Sequence, residues 1–573
     1  MRRYDVGSNV RCWGGLVMAA ALGIAVAAPG CTYTSNTTAI QCTSEVECLN
    51  LGPEFAGTTC DKATRSCIKV SADQDLCKTN KECIDKAGGV PAICRKSDRK
   101  CAQLTSPECP RVWGNTDQLL NDKAVVIGAV TPFSHSALAD FTEAALRLGQ
   151  ADITKVVRGL PSADGSSDIR PLVIASCDEF FHNGFDGLVV AADHLVKDLE
   201  VPVNIGPIDP ENVLLATEQV FRPNKVLTIV PLSISSGLIK PEPTPMAWGL
   251  AVNDKKTTQA SQLLIQKVLE PRLHDEGVTE PIKVAIIYED NVLGLNARQL
   301  MESKLSYNGK SASQNAIDKN YLAVSIGNVI DHVGNPAPEL KVAQAVRAVL
   351  DFKPNIILHA VHPGAIPLET FPLLTQWPRD TRLPYHVDLI AVFGTFAPLF
   401  DLLTAIVPMR SRLFSMTNHL PPEVQPRIDD WVTHFTTEFP QLAQSSSPSA
   451  TLVHQWYDAV FLAAYAIVAN GNKPLTGENL AATLTQFNPP GSTVRSGTAD
   501  ITRAFGLLNS GQGIDLDGLS GNMNIDPATG FVDYEAEITC PEIDTKTGRV
   551  VNFNATGYYT EGDQVRGTFR CNP

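Results

Sequence analysis

The fold of this chain is constrained most by an alternation of short apolar runs and longer amphipathic stretches, which begins near residue 123 and restarts near residue 283. Each apolar run is followed by a stretch with helical spacing; the runs are "AVVIGAV", "IRPLVIASC", "VPVNIGP", "KVLTIVP", "KVAIIYED", "PNIILHAV" and "YHVDLIAV". Continuous apolar strands that alternate with helices are typical of parallel sheets covered on both faces. Because the pattern occurs twice, we expect two α/β lobes of similar size with a cleft between them.

Length and charge narrow the class of protein. The chain has 573 residues, too many for a single hydrophobic core, and 44% of them are hydrophobic, as in globular proteins. Its formal net charge of −14 argues against a nucleic-acid partner, because such binding depends on Lys and Arg that neutralise phosphates. We therefore expect two or three globular domains and no nucleic acid.

The N-terminus has the pattern of a secretory signal peptide over residues 1–30. Arginines at positions 2, 3 and 11 precede the apolar stretch "GGLVMAAALGIAVAAPGC". A transmembrane helix is the competing interpretation, but the uncharged run is short for a bilayer span. The end of the stretch, "AAPGC", resembles a bacterial lipoprotein cleavage site, which implies acylation of Cys31 and a lipid-anchored tether over residues 31–41. A plain secretory signal is the alternative. Either way, we expect an exported protein of the cell envelope that faces the periplasm or the exterior.

Cysteine spacing indicates a small disulfide-rich segment before the lobes. Of the 14 cysteines, Cys12 lies in the signal and Cys31 would carry lipid, which leaves an even twelve, as expected in an oxidising compartment. Residues 42–101 contain two matching units, C-x5-C-x11-C-x6-C and C-x5-C-x10-C-x6-C, at a period near 35 residues. Each unit is too short to bury a core, so we expect disulfides to stabilise it, although the sequence does not choose among the possible pairings. Zinc is the rival interpretation, but its cysteine pairs usually lie two to four residues apart.

The role of the repeats stays open between two interpretations, a spacer that holds the lobes off the membrane and a protein-docking module. Residues 102–122 are rich in Pro, Ser and Asn and are expected to form a linker.

Five motifs carry a resemblance to a known family. They are "VVIGAVTPFS", "VNIGPID", "KVAIIYEDNVLGLNARQLMESKL", "WYDAVFLAAYAIVANG", which contains Tyr457-Asp458-Ala459-Val460, and "LDGLSGNMNIDPATG". In this order, over residues 123–535, they resemble the type I periplasmic solute-binding proteins of the leucine/isoleucine/valine-binding family. Tyr457 and Asp458 lie on an apolar helix face, so we expect them to fix that helix rather than contact a ligand.

The resemblance implies two Rossmann-like lobes with parallel sheets, joined by a three-strand hinge. Lobe 1 would comprise residues 123–247 and 418–512, and lobe 2 would comprise residues 248–417 and 513–540, with hinge segments near Trp248, Ser415–Thr417 and 513–525. The last residues, up to 573, alternate polar and apolar side chains and predict β-hairpins that complete lobe 2 and are tied by Cys540–Cys571. Cys109 and Cys177 are then left as the last pair.

The resemblance also locates a candidate ligand site. Relatives that bind amino acids hold the head group with serines and backbone groups of lobe 1, and add an aromatic residue and an acid from lobe 2. Here Asp209 follows the Ile-Gly-Pro turn, Leu232 and Ile234 interrupt the next serine loop, and Ile390-Ala391 replaces the acid. The candidate contacts are Ser134, Ser136, Asp209, Ser233, Ser235, Asp290 and His362. We therefore expect a polar or partly apolar solute other than a free branched-chain amino acid, or a site that has lost binding.

Simpler interpretations accompany these candidates. Asp209 has the position of a helix N-cap for "ENVLLATEQVF". His359 and His362 in "HAVHP" lack a nearby carboxylate in the sequence and are weak evidence for metal. No G-x-S-x-G, H-E-x-x-H, G-x-x-x-x-G-K-[ST] or G-x-G-x-x-G pattern supports catalysis or a bound nucleotide. We expect no enzyme activity, no cofactor and no metal.

Two functions follow from the resemblance and the export signal. The first is a monomeric, lipid-anchored solute-binding receptor of an ABC importer, which captures a small solute by lobe closure and presents it to a membrane permease. The second is a surface sensor or adhesion lipoprotein in which the binding fold and the cysteine repeats engage a protein partner, without transport.

Overall fold

The computed structural model divides the chain into two compact units, residues 1–75 and 76–573. It describes residues 42–43, 47–48, 51, 55, 58–61, 65–69, 76–134, 139–162, 164–181, 185–232, 235–237, 245–328, 337–361, 366–379, 381–389, 407–443, 453–543, 546, 550–562 and 564–571. The predicted signal peptide and tether lie outside the described residues, as do Cys31, Ser136, Ser233 and His362.

The strands are numbered along the chain. They are β1 (Thr58–Asp61), β2 (Ser66–Lys69), β3 (Ala92–Cys94), β4 (Cys101–Gln103), β5 (Arg111–Trp113), β6 (Val125–Thr131), β7 (Leu160–Pro161), β8 (Ile169–Arg170), β9 (Leu172–Asp178), β10 (Val203–Ile205), β11 (Leu227–Val230), β12 (Ala247–Gly249), β13 (Val284–Tyr288), β14 (Ser306–Tyr307), β15 (Lys310–Ser311), β16 (Tyr321–Ser325), β17 (Ile356–Ala360), β18 (Tyr385–Asp388), β19 (Leu413–Asn418), β20 (Ser492–Arg495), β21 (Ile514–Gly518), β22 (Gly521–Asn522), β23 (Ile525–Asp526), β24 (Phe531–Val532), β25 (Ala536–Ile543), β26 (Val550–Glu561) and β27 (Gln564–Gly567).

The α-helices are numbered in the same way. They are α1 (Asn80–Lys86), α2 (Thr116–Leu119), α3 (Ala139–Val157), α4 (Phe185–Asp193), α5 (Pro210–Ala216), α6 (Asp254–Leu264), α7 (Glu270–Asp275), α8 (Val292–Lys304), α9 (Ala312–Ile317), α10 (Ala337–Phe352), α11 (Ile366–Gln376), α12 (Gln425–Glu438), α13 (Pro440–Ala443), α14 (His454–Ala469), α15 (Gly477–Leu484) and α16 (Ile501–Asn509). One-turn π-helical segments continue α4, α5 and α6. No helix in the described part of the chain is long and apolar enough to cross a bilayer.

Both cysteine repeats pair their cysteines in the same way, first with third and second with fourth. The first repeat has Cys42–Cys60 and Cys48–Cys67 around the β1–β2 hairpin, and the second has Cys77–Cys94 and Cys83–Cys101 around α1 and the β3–β4 hairpin. The disulfide prediction is confirmed, and these sulfurs are bonded to one another rather than available to a metal.

The second repeat packs against the first lobe. Ile84, Ala92 and Leu104 belong to the same buried apolar cluster as Val173 and Leu195 of that lobe. The Arg95 guanidinium also donates to the Lys197 carbonyl oxygen at 2.9 Å. The second repeat therefore adds to the hydrophobic core of the lobe.

The sheet of the first lobe has the strand order β23-β24-β12-β11-β10-β6-β9-β5. The strands from β24 to β9 are parallel, and the two outer strands, β23 and β5, are antiparallel to their neighbours. Strand β5 lies inside the predicted linker 102–122, and the Cys109–Cys177 disulfide joins that segment to β9. The segment predicted as a linker is therefore integrated into the first lobe, because its backbone completes the sheet edge.

The sheet of the second lobe has the order β16-β13-β17-β18-β19-β25-β26-β27. It is parallel from β16 to β19 and antiparallel from there on. The antiparallel strands are the predicted tail hairpins, and the Cys540–Cys571 disulfide confirms the predicted pairing. Two parallel sheets covered by helices confirm the α/β fold class that the apolar pattern predicted.

The chain passes between the lobes three times. The crossings follow β12, which ends at Gly249, and β19, which ends at Asn418, close to the predicted hinge segments. The third crossing lies between Val532 and Ala536, later than the predicted 513–525. The reason is that the β23–β24 hairpin adds to the first sheet before the chain leaves it.

Candidate binding cleft

The two lobes meet at the carboxyl ends of their parallel sheets, which is where the binding cleft is expected. In lobe 1 the loops after β10 and β11 reach it, and in lobe 2 the loops after β13 and β16 do so. The Asn328 amide, after β16, donates to the Glu211 carboxylate at the start of α5, with an N···O distance of 3.1 Å. Val292, at the start of α8, packs on the apolar cluster that contains Val213 and Val230. In open α/β sheets, ligands bind at this edge.

Acidic side chains dominate the described part of the lobe-1 edge. Asp178 ends β9, Glu179 follows it, and Asp209 follows the Gly206-Pro207 turn; all three are buried. Glu179 accepts hydrogen bonds from the backbone N–H groups of Ile208, at 3.1 Å, and Asp209, at 2.7 Å. This carboxyl therefore holds the turn after β10 in place.

Glu179 has a strongly raised pKa. Burial, together with the nearby negative charge of Asp209, raises the pKa of Glu179 to about 8. Near neutral pH this carboxyl is therefore largely protonated.

Asp209 acts as the N-cap of α5. One carboxylate oxygen accepts from the backbone N–H groups of Glu211, at 3.0 Å, and Asn212, at 3.2 Å, and Pro210 occupies the first helical turn. These bonds satisfy donors that a helix start leaves unpaired. The N-cap interpretation from the sequence is thus observed, and a ligand role for Asp209 stays a prediction.

The serine loop after β11 connects the two lobes. The backbone N–H of Ser236 donates to Asp254 of α6 at 3.0 Å, and the Ser236 hydroxyl lies 3.3 Å from the amide nitrogen of Asn296 on α8. Burial raises the pKa of Asp254. Ser235 is itself fully buried. In this conformation, the described end of the loop contacts lobe 2.

In lobe 2, the candidate Asp290 lies at the surface rather than in a buried pocket. Its carboxylate pairs with the Lys341 ammonium of α10 at 3.3 Å. The buried neighbours Glu289 and Asn291 are bonded to each other, and Asn291 caps α8 through its bond from the Gly294 N–H. Asp290 thus takes part in an exposed ion pair, which contributes little to stability.

The remaining candidate in lobe 1 is Ser134, in the loop after β6. Its side chain is exposed, and its backbone N–H faces Asp178 at 3.4 Å. Ser134, Asp209 and Ser235 follow neighbouring strands of one sheet, whereas Asp290 lies in lobe 2. The sequence reasoning missed Glu179, Asp254 and Asn328; the only signal for Glu179 was its position directly after an apolar strand.

Two of the five sequence motifs contact each other. Asp458 of α14 accepts hydrogen bonds from the backbone N–H of Leu519, at 3.1 Å, and from both the N–H and the hydroxyl of Ser520, at 2.8 and 2.7 Å. The Tyr457 hydroxyl donates to Asp152 of α3 at 2.7 Å. The expected structural role of Tyr457 and Asp458 is therefore observed.

The chain has the fold of the type I periplasmic binding proteins, and solved structures agree. A leucine-binding protein from Thermotoga maritima is similar, with a TM-score of 0.51 at 13% identity over 77% of this chain and 99% of its own. A branched-chain amino acid transporter substrate-binding protein from Streptococcus pneumoniae, in complex with isoleucine, has a TM-score of 0.51 at 12% identity over 75% and 99%. A periplasmic binding protein from Burkholderia mallei has a TM-score of 0.50 at 12% identity over 76% and 94%.

The sequence comparisons add no closer relationship. No family model matches the chain, and no curated protein matches it. At the identities above, the structural likeness establishes the type I periplasmic binding fold for this chain and leaves the solute open.

Proposed function

We propose that this protein is an extracytoplasmic solute-binding lipoprotein of an ABC-type importer, which captures a small solute by closure of its two lobes. The observation that carries the proposal is the meeting of two parallel-sheet edges across a cleft, with three chain crossings that allow hinge motion. A solute that contacts both edges would favour the closed state, because those contacts exist only after closure.

The solute class is inferred from the residues at the positions where amino-acid-binding relatives hold the head group. Similar structures are described as leucine-binding or as complexed with isoleucine. A buried amino-acid zwitterion needs partners for its carboxylate and its ammonium. In this chain Asp209 caps a helix where relatives have serines, and Ser236 holds Asp254 of the other lobe. Because Asp209 and Ser236 already make these hydrogen bonds within the protein, we favour a polar or partly apolar solute other than a free branched-chain amino acid.

A thermal-shift screen of the chain from residue 32 onward tests solute binding. The panel comprises amino acids, small carboxylates, amides and sugars. A solute present at a hundred times its Kd adds about 2.7 kcal/mol to the free energy of unfolding and raises the melting temperature. The proposal fails if no compound in the panel raises the melting temperature and none reduces the radius of gyration in solution scattering.

The site assignment is tested with the solute that the screen identifies. Ser134→Ala and Ser233→Ala should each weaken binding at least tenfold, because each removes a hydroxyl from a loop that follows a lobe-1 strand. Ser303→Ala, an exposed serine on α8, is the matched control. Equal affinities in all three variants would show that the solute binds elsewhere.

The lipid anchor is tested separately. Metabolic labelling with a palmitate analogue should label the wild-type chain and not the Cys31→Ala variant. An unlabelled wild type, or a label that survives the substitution, would contradict acylation at Cys31.

One observation favours a second candidate function, a sensor or adhesion lipoprotein that engages a protein partner. The second cysteine repeat is built into the core of lobe 1, whereas the first repeat belongs to a separate compact unit. A separate compact unit such as the first repeat can bind a partner protein without taking part in transport. Permease and ATPase genes adjacent to this one would favour the importer, and their absence would favour this alternative.

A further inference from the structure

A row of buried polar side chains crosses the lobe-2 sheet beneath helix α11. His359 of β17, His386 of β18 and Glu369 of α11 are each at most 1% exposed. His359 Nδ1 lies 2.6 Å from a Glu369 carboxylate oxygen, and His359 Nε2 lies 2.8 Å from His386 Nδ1. The two imidazole planes are 14° apart and their centroids are 5.0 Å apart, so the rings meet edge to edge through this hydrogen bond. The three side chains form a continuous chain of hydrogen bonds, named here the lobe-2 relay.

One arrangement of protons satisfies both hydrogen bonds of the relay with an ionised Glu369 and two neutral rings. An ionised Glu369 only accepts, so His359 Nδ1 must carry the hydrogen between them. A neutral His359 then has a lone pair on Nε2, and His386 Nδ1 must carry the hydrogen of the second bond. In this arrangement each ring is an Nδ1–H tautomer, and His386 Nε2 is a buried atom without a hydrogen-bond partner among the described residues.

An added proton disrupts this arrangement. On His359 Nε2 it would place two N–H donors against each other at 2.8 Å. On His386 Nε2 it would place a charge in a fully buried position near the Arg412 guanidinium. Burial lowers the pKa of His386 well below its usual range, and the Arg412 guanidinium and a protonated His359 lower it further.

The described charged groups near the relay lie on β18, just before β19 and on α10, and each is either paired or exposed to solvent. Asp388 of β18 accepts from the Ser415 hydroxyl of β19 at 2.8 Å. Arg412, just before β19, is paired with Glu276 at 2.8 Å and lies over the Tyr385 ring. On α10, which packs on α11, the described ionisable residues Lys341, Arg347 and Asp351 are exposed to solvent. Within the described residues, Glu369 is therefore the carboxylate bonded to the histidine pair.

We propose that the lobe-2 relay is a proton-sensitive latch, which holds α11 on β17 and β18 at neutral pH and releases it as the solution becomes acidic. The position of the relay couples it to the cleft edge. The Ala360 carbonyl oxygen at the end of β17 accepts from the Glu289 N–H, and the His359 carbonyl oxygen accepts from the Leu389 N–H at the end of β18. An effect on solute binding rests on the proposed function; the latch itself does not.

Hydrogen exchange of the chain from residue 32 onward tests the latch without any solute. After correction for the intrinsic rate, peptides from β17, α11 and β18 should lose at least tenfold in protection between pH 8 and pH 5.5. His386→Asn keeps an amide donor in the place of Nδ1 and takes up no proton at that position, so its protection should change less with pH than that of the wild type. His274→Asn, at an exposed histidine of α7, should behave as the wild type does.

Two results would overturn the latch. One is a wild type whose protection in these peptides does not change with pH. The other is an equal change in the wild type and in His386→Asn. Nitrogen NMR of histidine-labelled wild type gives an independent readout that needs no variant: both relay histidines should be Nδ1–H tautomers at pH 8, and an Nε2–H tautomer at either ring would contradict the relay.

Discussion

Asp458 joins two pieces of chain that the sequence separates widely, the helix α14 and the turn between β21 and β22. Its fully buried carboxylate accepts three hydrogen bonds from Leu519 and Ser520. The turn can approach so closely because Gly518 has no Cβ, which would lie 2.7 Å from an Asp458 oxygen. Two separate family motifs are thus the two sides of one contact.

Asp458→Asn is expected to lower the free energy of unfolding by about 2–3 kcal/mol, because an amide nitrogen would face a backbone N–H that the carboxylate now accepts. Denaturant unfolding measures this loss. Asp351→Asn, at an exposed position of α10, is the control and should stay within about 0.5 kcal/mol of the wild type. Equal stability of the two variants would contradict the structural role of Asp458.

Glu179 should make stability depend on pH. Its pKa is raised from 4.5 to about 8 in the folded protein, so the fold favours the protonated carboxyl. Its contribution is full below pH 4.5 and is lost as the pH rises toward about 8. Melting temperatures from pH 5 to pH 8.5 should therefore fall more steeply in the wild type than in Glu179→Gln. The exposed Glu280→Gln is the matched control, and a Glu179→Gln profile parallel to the wild type would refute this assignment.

At the scale of elements, the contact between the serine loop and α8 bridges the lobes. Asn296 of α8 donates to both Ser236 and Asp254. The loop therefore connects a lobe-1 strand end to two helices of lobe 2. This contact belongs to a conformation in which the lobes touch.

Asn296→Ala is expected to shift the solute-free protein toward the open state, because it removes hydrogen bonds made across the lobes. Small-angle scattering should show a larger radius of gyration than in the wild type. Leu295→Ala changes an exposed neighbour on the same helix and should leave the radius unchanged. The same radius in all three proteins would mean that this contact does not hold the lobes together.

The sequence predicted the long apolar strands but not the short strand β5. The apolar runs that became β6, β9, β13 and β17 were recognisable because strands buried on both faces exclude polar residues. Strand β5, "RVW", is three residues long and lies in a polar segment, so the composition predicted a linker. Its pairing with β9 is a long-range contact that local composition does not encode.

At the scale of the whole molecule, the two cysteine repeats have the same spacing but belong to different compact units. The second repeat shares a core with lobe 1, and the first does not contribute to that core among the described residues. Ile84 and Ala92 supply apolar contacts of the second repeat. Their burial makes it part of the cooperative unit that unfolds with lobe 1.

Deletion of the first repeat should therefore leave the melting temperature of the remaining chain unchanged within about 1 °C. Deletion of both repeats, up to residue 101, should lower it by several degrees, because it exposes the apolar surface of lobe 1. Differential scanning calorimetry measures both. A large loss on removal of the first repeat alone would contradict the division of the chain at residue 75.

The sequence alone determined the two α/β lobes, the disulfide chemistry of the repeats and the structural role of Asp458, because apolar periodicity, cysteine spacing and a helix pattern are local properties of the chain. Only the tertiary structure decided which cysteines pair within the repeats, where the third crossing lies, that Ser236 contacts Asp254, and that Glu179, His359 and His386 are buried beside particular partners. The physical reason is the same in each case. Residues that are distant in sequence set the burial and the charge environment of a side chain. These two properties determine its pKa and its hydrogen bonds, and the residues next to it in the sequence do not encode them.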